Sequence, residues 1–315
     1  MKVLIAGCGY VGTELGLILA AAGHEVWGVR RDPSRLPAPI QPVAADLLDP
    51  GLTRLLPRVD AAVYTAAAGA SSPEAYRAAY VDGPLNVLRA LESSHAEVRR
   101  ILFTSSTAVW GDAAGTWVDE ETPTSPDGFR GELVLEGEDR LRESNVPSVS
   151  LRLGGIYGPE RTRLLERVRA GEARCPEEGS PADRIWSNRI HRDDAAGALA
   201  HLLIRDDPHP VYVGVDDEPV RLCDVYTFVA ELLGEPVPAR GDDADRTRSN
   251  KRCSNRRLRA SGYRLRYPTF REGYRSMIEG AQLGQRAASS SVEQELRTTE
   301  AKSGTSAKER NSPGS

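Results

Sequence analysis

Lysine is scarce in this chain, and long apolar runs are absent. Among 315 residues, lysine occurs only as Lys2, Lys251, Lys302 and Lys308. No segment approaches the ~20 apolar residues that a bilayer-spanning helix needs, and no secretory leader is recognisable. The net charge of −4 gives no general reason to bind nucleic acid or an anionic membrane. We therefore expect a cytoplasmic protein with a small-molecule substrate, no nucleic acid and no membrane as partners.

The chain also has few cysteines, and none of them are paired in sequence. Cys8, Cys175, Cys223 and Cys253 form no CxxC motif and have no companion histidines at zinc-binding spacing. The sequence therefore predicts no metal site. In the expected cytoplasmic setting, it favours reduced thiols over disulfides.

Short apolar segments alternate with amphipathic helical segments in the first half of the chain. This alternation is typical of a parallel sheet that helices cover on both faces. The predicted fold class is α/β, with a Rossmann-type doubly wound parallel sheet and a smaller C-terminal substrate lobe. The predicted strands have the sequences KVLIA, HEVWGVR, PVAAD, AAVYTAAA, RILFTSS and SVSLRL.

Composition divides the chain into three parts. Residues 1–155 form the predicted dinucleotide-binding domain, and residues 156–286, with shorter elements, form the predicted substrate lobe. Part of this lobe, near residues 186–215, is expected to return to the main sheet. Residues 287–315 have almost no large apolar side chains, so this tail is predicted to be disordered.

The segment GCGYVG lies between a predicted strand and a predicted helix, the context that a dinucleotide-binding turn requires. Gly7 permits the tight turn, Gly9 lets a pyrophosphate approach the backbone, and Gly12 lets the helix pack on the strand. With Tyr10 and Val11 they place the phosphates at the helix N-terminus. The alternative is a tight turn without a ligand.

Two arginines end the second strand, where an acidic residue would bind an unphosphorylated adenosine ribose. Arg30 and Arg31 can pair with a 2′-phosphate, so NADP is favoured and NAD is the second choice. The alternative is that both are solvated loop charges. Asp46, which follows the third strand, is expected to meet the adenine amino group. The remaining predicted cofactor-binding residues are Leu47, Ala66, Ala67, Ala68 and Ser105.

Five segments together resemble the extended short-chain dehydrogenase/reductase family of NAD-dependent epimerases and dehydratases: GCGYVG, DLLD, FTSSTAVWGD, LRLGGIYGPER and RIHRDDAAGALA. The resemblance covers about residues 1–280. It implies NAD or NADP as cofactor and a nucleotide sugar, or another small carbonyl or alcohol, as substrate. It also implies a homodimer through helices near residues 75–92 and 130–143. The glycine turn is one residue shorter than the family's usual GxxGxxG.

The chain lacks the family's Tyr-x-x-x-Lys pair, in which the tyrosine moves the proton and the lysine lowers its pKa. Phe129 and Leu133 occupy these positions, and no lysine lies between Lys2 and Lys251. A phenol with a pKa near 10 is a poor base at neutral pH without such help. The sequence therefore predicts an oxidoreductase or epimerase of atypical mechanism. The alternative is a non-catalytic NAD(P)-binding regulator or redox sensor.

Two predicted catalytic residues remain, Ser106 and Tyr157. Ser106 matches the family's catalytic serine or threonine, although it could instead bond only to cofactor or backbone. Tyr157 matches a loop residue at the border of the cofactor and substrate pockets, where the usual role is structural. His191 is expected to pack at a helix start, and Asp194 to cap that helix.

Residues 246–266 hold nine basic residues and no acidic one. In the family, arginines of the C-terminal lobe contact the substrate diphosphate, and bidentate geometry suits that role. The favoured alternative is a solvated basic face.

Overall fold

A computed structural model describes residues 1–94, 97–241 and 249–281. The predicted disordered tail, residues 287–315, lies outside the described residues. The strands are β1 (Lys2–Ala6), β2 (Glu25–Arg30), β3 (Ile40–Ala44), β4 (Ala61–Tyr64), β5 (Ile101–Ser106), β6 (Trp117–Val118), β7 (Ser148–Leu153), β8 (Gly155–Tyr157), β9 (Arg174–Cys175), β10 (Trp186–Ser187), β11 (Arg189–His191), β12 (Val211–Gly214), β13 (Val220–Arg221), β14 (Ala239–Arg240) and β15 (Arg252–Cys253).

The helices alternate with these strands along the first half of the chain. They are α1 (Tyr10–Ala21), α2 (Pro73–Arg77), α3 (Gly83–Ser93), α4 (Phe129–Arg142), α5 (Arg163–Arg169), α6 (Arg192–Ile204), α7 (Leu222–Leu233), α8 (Arg256–Ala260) and α9 (270–281).

Seven strands form one parallel sheet in the order β12-β7-β5-β4-β1-β2-β3. The chain runs outward from β1 to β3 and then returns to β4 on the other side of β1. This reversal opens a crevice at the carboxyl ends of β1 and β4, where doubly wound sheets bind their ligands. The predicted fold class is confirmed.

Both faces of β1 are buried from Val3 to Ala6, and these four residues are all apolar. Val3 and Ile5 face one layer of the core together with Leu15 and Leu19 of α1. Leu4 and Ala6 face the opposite layer, against side chains of α3 and α4. Strands covered on both sides lose the alternation that a half-exposed strand shows.

Elements of the C-terminal half contribute to both lobes. Strand β12 pairs with β7 at the edge of the main sheet, and leucines of α6 join the core layer around α1. A separate apolar core holds the smaller lobe together, with Tyr157, Val168, Val225 and Phe270 among its buried members.

The helix before β5 is interrupted by a π-helical turn, Ala78–Asp82, between α2 and α3. The Tyr64 hydroxyl donates to the carbonyl of Ala79 at 2.7 Å inside this turn. A Cβ on Gly83 would lie 2.3 Å from the same hydroxyl, so the buried tyrosine fills the space that a larger residue would need. π-bulges of this kind are frequent at functional sites.

The expectation of four reduced thiols is wrong for one pair. Cys175 of β9 and Cys223 of α7 form a disulfide inside the smaller lobe. The fold brings the two residues together across 48 positions of sequence, a proximity that their spacing does not reveal. Cys8 and Cys253 remain free and buried, and burial raises their pKa values to about 11 and about 12.

Candidate cofactor and substrate site

The glycine turn joins β1 to α1 at the carboxyl edge of the sheet. Gly7 has φ +81°, and a Cβ there would lie 2.5 Å from Ala66, so both conformation and space require glycine. A Cβ on Gly12 would lie 2.6 Å from Thr65 Oγ1, because α1 packs closely on the strand ends. A Cβ on Gly9 would meet nothing nearer than 3.7 Å, which leaves room for a ligand.

Helix α1 presents its N-terminus to this turn. Its first turn contains no acidic residue, and no side chain among the described residues caps it. The free N–H groups and the positive end of the helix dipole favour an anion such as a pyrophosphate. Tyr10 donates to the Pro159 carbonyl at 2.6 Å and stacks under Arg161 at 4.2 Å. It therefore links the glycine turn to the loop after β8, while Val11 is buried.

A cavity of about 550 Å³ opens from the glycine turn, and we call it the cofactor cavity. Its size and shape suit a dinucleotide: glycines at the phosphate position, charged residues beyond β2 and small alanines beyond β4. It brings together most of the predicted cofactor-binding residues, namely Gly7, Gly9, Arg30, Arg31, Asp46, Leu47, Ala66, Ala67 and Ala68.

Two arginines and two aspartates, Arg30, Arg31, Asp32 and Asp46, line the cofactor cavity beyond β2 and β3. Arg30 is half-buried and donates to the carbonyl of Cys8 at 3.4 Å, which holds its guanidinium beside the glycine turn. Arg31 is exposed and lines the same cavity. Asp32 accepts the backbone N–H of Ser34 at 3.0 Å, so its carboxylate is engaged in its own turn.

The two serines that end β5 lie in different environments, as alternation along a strand requires. Ser105 is buried, and its hydroxyl donates to Glu138 of α4. Glu138 also forms a bidentate pair with Arg152, with contacts of 3.0 and 2.7 Å. The role of Ser105 at the cofactor therefore stays a prediction. Ser106 is half-buried and accepts the N–H of Ala108 at 3.1 Å, which caps the 3₁₀ turn Thr107–Trp110.

An aromatic residue and an aliphatic one, Phe129 and Leu133, occupy the places of the missing tyrosine and lysine. Phe129 begins α4 and packs edge-on against Tyr76, with ring centroids 5.4 Å apart. Leu133 is 7% exposed and belongs to the buried face of α4. Sequence reasoning missed Tyr80, which lies in the π turn. The Ala68 N–H bonds to its hydroxyl, although burial outweighs this contact and raises its pKa to about 12.

A second cavity, of about 890 Å³, lies between the end of β5 and the smaller lobe. We call it the basic cavity, because five of its lining residues are cationic and none of its described lining residues is acidic. Thr107, Tyr157, Trp186 and Tyr226 form part of its wall. The cationic residues are Arg161, Arg163, Arg167, Arg189 and Lys251. Such a lining favours an anionic ligand.

Tyr157 lines the basic cavity but is only 6% exposed. Its ring stacks on Tyr274 at 4.8 Å, and its hydroxyl lies against the backbone of Gly273 in α9. The hydroxyl has no hydrogen-bond partner among the described residues. Burial raises the Tyr157 pKa well above its ordinary value, so the phenol keeps its proton. A catalytic role for Tyr157 stays a prediction.

His191 has the structural role expected of it, whereas the expectation for Asp194 is wrong. His191 Nδ1 accepts the N–H of Asp193 at 3.2 Å and caps α6. Asp194 instead accepts the backbone N–H groups of Arg266 and Tyr267 at 2.7 and 2.9 Å. Asp194 lies inside the first turn of α6 and is not its N-cap. Its carboxylate instead holds the segment before α9.

The described part of the basic segment, residues 249–266, is mostly engaged in contacts within the protein. Arg257 pairs with Glu121, Arg259 with Asp217, and Arg266 with Asp193. Lys251 alone among these basic residues lines the basic cavity, whose arginines come from elsewhere in the chain. Sequence reasoning did not single out these arginines, because only the fold brings them to one cavity, although Arg161 and Arg189 lie inside the segments LRLGGIYGPER and RIHRDDAAGALA.

Comparison with known proteins identifies the family. The profile of the NAD dependent epimerase/dehydratase family matches residues 3–213. Protein YeeZ from Escherichia coli K12 is 31% identical, over 85% of this chain and 96% of YeeZ. A 3-diazoavenalumate denitrifying reductase from Streptomyces is 28% identical, over 87% of this chain and 99% of that protein.

A solved structure is similar over the same length. The structure of a candidate NAD-dependent epimerase/dehydratase from Methylobacillus flagellatus is 36% identical, with a TM-score of 0.73 over 89% of this chain and 98% of that one. The protein therefore belongs to the NAD-dependent epimerase/dehydratase family, whose cofactor is a nicotinamide dinucleotide. No helix in the described part of the chain is long and apolar enough to cross a membrane.

Proposed function

We propose that the protein is an NADP-dependent oxidoreductase of the extended short-chain dehydrogenase/reductase type, with an atypical acid–base mechanism. The observation that carries this proposal is the pairing of the glycine turn with Arg30 and Arg31 in one cavity. Guanidinium groups suit the 2′-phosphate that distinguishes NADP from NAD, and an acid in their place would repel it. When bound, the nicotinamide supplies or accepts the hydride.

The proposed substrate is an anionic small molecule that carries a carbonyl or an alcohol, with a nucleotide sugar as the first candidate. Five cationic side chains line the basic cavity, which is large enough for such a molecule. A relative that matches over nearly its whole length is named as a reductase, which supports reduction rather than epimerisation as the reaction.

Cofactor choice can be tested directly through Arg30. We expect NADPH to bind at least tenfold more tightly than NADH, because one charge-assisted hydrogen bond contributes about 1.5–3 kcal/mol. Arg30→Asp should reverse that order, while Arg31→Asp, an exposed neighbour on the same loop, should have the smaller effect. Fluorescence titration of both cofactors with the wild type and the two variants measures the six affinities. Equal affinities in the wild type, or tighter binding of NADH, would refute the NADP assignment.

A second candidate function is a non-catalytic NAD(P)-binding regulator or redox sensor. Phe129 and Leu133 favour it, because a sensor does not need the acid–base pair that they replace. NADPH binding without turnover on a panel of aldehydes, ketones and nucleotide sugars would favour the sensor. Turnover on any of them would favour the enzyme.

We also propose that the protein is a homodimer through the surfaces of α2, α3 and α4, the arrangement that its family implies. Light scattering coupled to size-exclusion chromatography gives the mass of the particle. A mass near 34.2 kDa would contradict the dimer.

A further inference from the structure

Two cationic side chains that line the basic cavity are buried without a carboxylate in direct contact, although Asp216 interacts with Arg189 from a greater distance. Arg189 is 7% exposed and Lys251 is 3% exposed. Neither forms an ion pair with a carboxylate of the described residues, and Arg189 Nε has no hydrogen-bond partner among them. A buried charge without a counter-charge costs several kcal/mol. Such groups beside a cavity are therefore candidates for binding or chemistry.

Lys251 also lies against the turn that carries Ser106. Its Nζ donates to the carbonyl of Gly111 at 2.7 Å and to the hydroxyl of Ser249. Gly111 ends the 3₁₀ turn that Ser106 caps, and Thr107 of that turn lines the basic cavity together with Lys251. An ammonium group has three N–H donors, and these two contacts use two of them. The third N–H has no acceptor among the described residues.

We propose that Lys251 is the proton donor of this protein, in place of the missing tyrosine. Its ammonium binds the reacting oxygen of the substrate and protonates it. This inference rests on the proposed oxidoreductase function and assigns a residue to it. The C-terminal lobe thereby supplies the acid that α4 lacks.

Lys251 gives the proton to the substrate, and water replaces the proton on Lys251. A bound nicotinamide would be the source of the hydride that the carbonyl carbon receives. As the carbonyl π electrons move onto oxygen, one N–H bond of Lys251 breaks and its electron pair stays on nitrogen. The new O–H bond completes the alcohol, and the neutral amine takes a proton from water.

The surroundings of Lys251 favour this role. Burial lowers its pKa, which makes the ammonium a stronger acid than an exposed lysine. Three groups act in the opposite direction and raise the pKa: Asp112 and Asp127 from the segments around the serine turn, and Cys253 from the neighbouring strand β15. Because burial outweighs them, the proton is held less firmly than in solution.

A purely structural role is the competing explanation, and Arg252 provides the matched control. Its Nε donates to the carbonyl of Gly115 at 2.8 Å, much as Lys251 donates to Gly111. Arg252 does not line the basic cavity. Arg252→Met therefore removes a cation and a loop contact from the same part of the chain, and its guanidinium meets the cavity wall only through the ring of Trp186, at 5.3 Å.

The first experiment measures NADPH-dependent turnover of the best substrate from the panel. Lys251→Met should lower kcat by about 100-fold or more, the usual contribution of a general acid. NADPH affinity should stay unchanged, and Arg252→Met should keep most of kcat. The alkaline limb of the wild-type pH profile should be absent from Lys251→Met. A Lys251→Met variant that keeps kcat while Tyr80→Phe loses it would overturn the proposal and favour Tyr80.

The second experiment does not depend on turnover. Because the chain contains four lysines, a protein labelled with ¹³C-lysine gives few resonances, and Lys251→Met identifies the one of interest. Lys251 should titrate at a lower pH than Lys2, which is exposed. A midpoint equal to or above that of Lys2 would overturn the inference. Failure of NADPH to bind would instead refute the proposed function, and the titration would still give its answer.

Discussion

Leu133 lies on the buried face of α4, beside Val134 in the core, with 7% of its surface exposed. A lysine at this position would bring its charge to a place that is almost closed to solvent. Phe129, four residues earlier, is only half-buried and meets the ring of Tyr76. Position 129 should therefore accept the family's tyrosine more readily than position 133 accepts its lysine.

We predict that Phe129→Tyr changes the free energy of unfolding by less than about 0.5 kcal/mol, as partly exposed positions usually do. Leu133→Lys should lower it by roughly 2–4 kcal/mol, because the ammonium loses solvation without gaining a partner. The double variant should not gain turnover. Urea unfolding and the NADPH assay measure both effects. A stable double variant with increased turnover would show that α4 still offers a complete acid–base site.

The disulfide is the main constraint on the elements of the smaller lobe. It connects β9 to α7 across 48 residues; α7 packs in the core of the smaller lobe, and Ala173, directly before β9, belongs to the same core. The chain-entropy account of cross-links assigns a loop of this length about 4 kcal/mol of stabilisation. Most of that value comes from restricting the unfolded chain rather than from contacts in the folded one.

We predict that the double variant Cys175→Ser, Cys223→Ser loses about 2–4 kcal/mol of unfolding free energy. Dithiothreitol should lower the stability of the wild type by a similar amount and leave the double variant unchanged. The double variant is therefore the control for other effects of the reductant. Chemical unfolding with and without the reductant measures this. Two free thiols in the untreated wild type, together with indifference to dithiothreitol, would contradict the cross-link.

The elements of the sheet were predictable because their signal is local. Strand β1 is apolar after Lys2, the glycine turn follows it directly, and the helix α1 comes next. The π turn was not predictable, since it depends on the Tyr64 hydroxyl reaching Ala79 from another element. The sequence predicted a continuous helical segment there, because its pattern says nothing about that contact.

The candidate site was predictable only where it coincides with a motif. Most residues of the cofactor cavity lie at fixed offsets from strand ends, so the sequence identifies them. Lys251 reaches Gly111 across 140 residues, and the arginines of the basic cavity come from three separate elements. Contacts over such distances arise from tertiary packing. Lys251 is one of only four lysines in the chain, and none of the four lies in α4.

At the scale of the whole molecule, buried ionisable groups make stability depend on pH. His191 is 1% exposed, and its ring packs against Tyr267 at 4.0 Å. Burial lowers its pKa to about 4, although Asp193 acts in the opposite direction. Burial raises the pKa values of Asp194 and Asp216. These carboxyl groups contribute stability at low pH that is lost as the pH rises through their folded-state pKa values.

The His191 contribution has the opposite sign. The pKa of a histidine in the unfolded chain is about 6.5, whereas burial lowers the pKa of folded His191 to about 4. Its stabilisation is therefore complete above pH 6.5 and is lost as the pH falls towards 4. A difference of this size corresponds to roughly 3 kcal/mol. Protonation would also remove the Nδ1 lone pair that caps α6.

We predict that His191→Asn, which keeps a capping acceptor but does not titrate, flattens the fall in unfolding free energy between pH 6.5 and pH 4. The wild type should lose roughly 3 kcal/mol more than the variant over this interval. The two buried aspartates are present in both proteins, so their contribution cancels in the difference. Urea unfolding at a series of pH values gives the two curves. His209→Asn, at an exposed histidine, should follow the wild type. Parallel curves for wild type and His191→Asn would show that His191 titrates alike in the folded and unfolded chains.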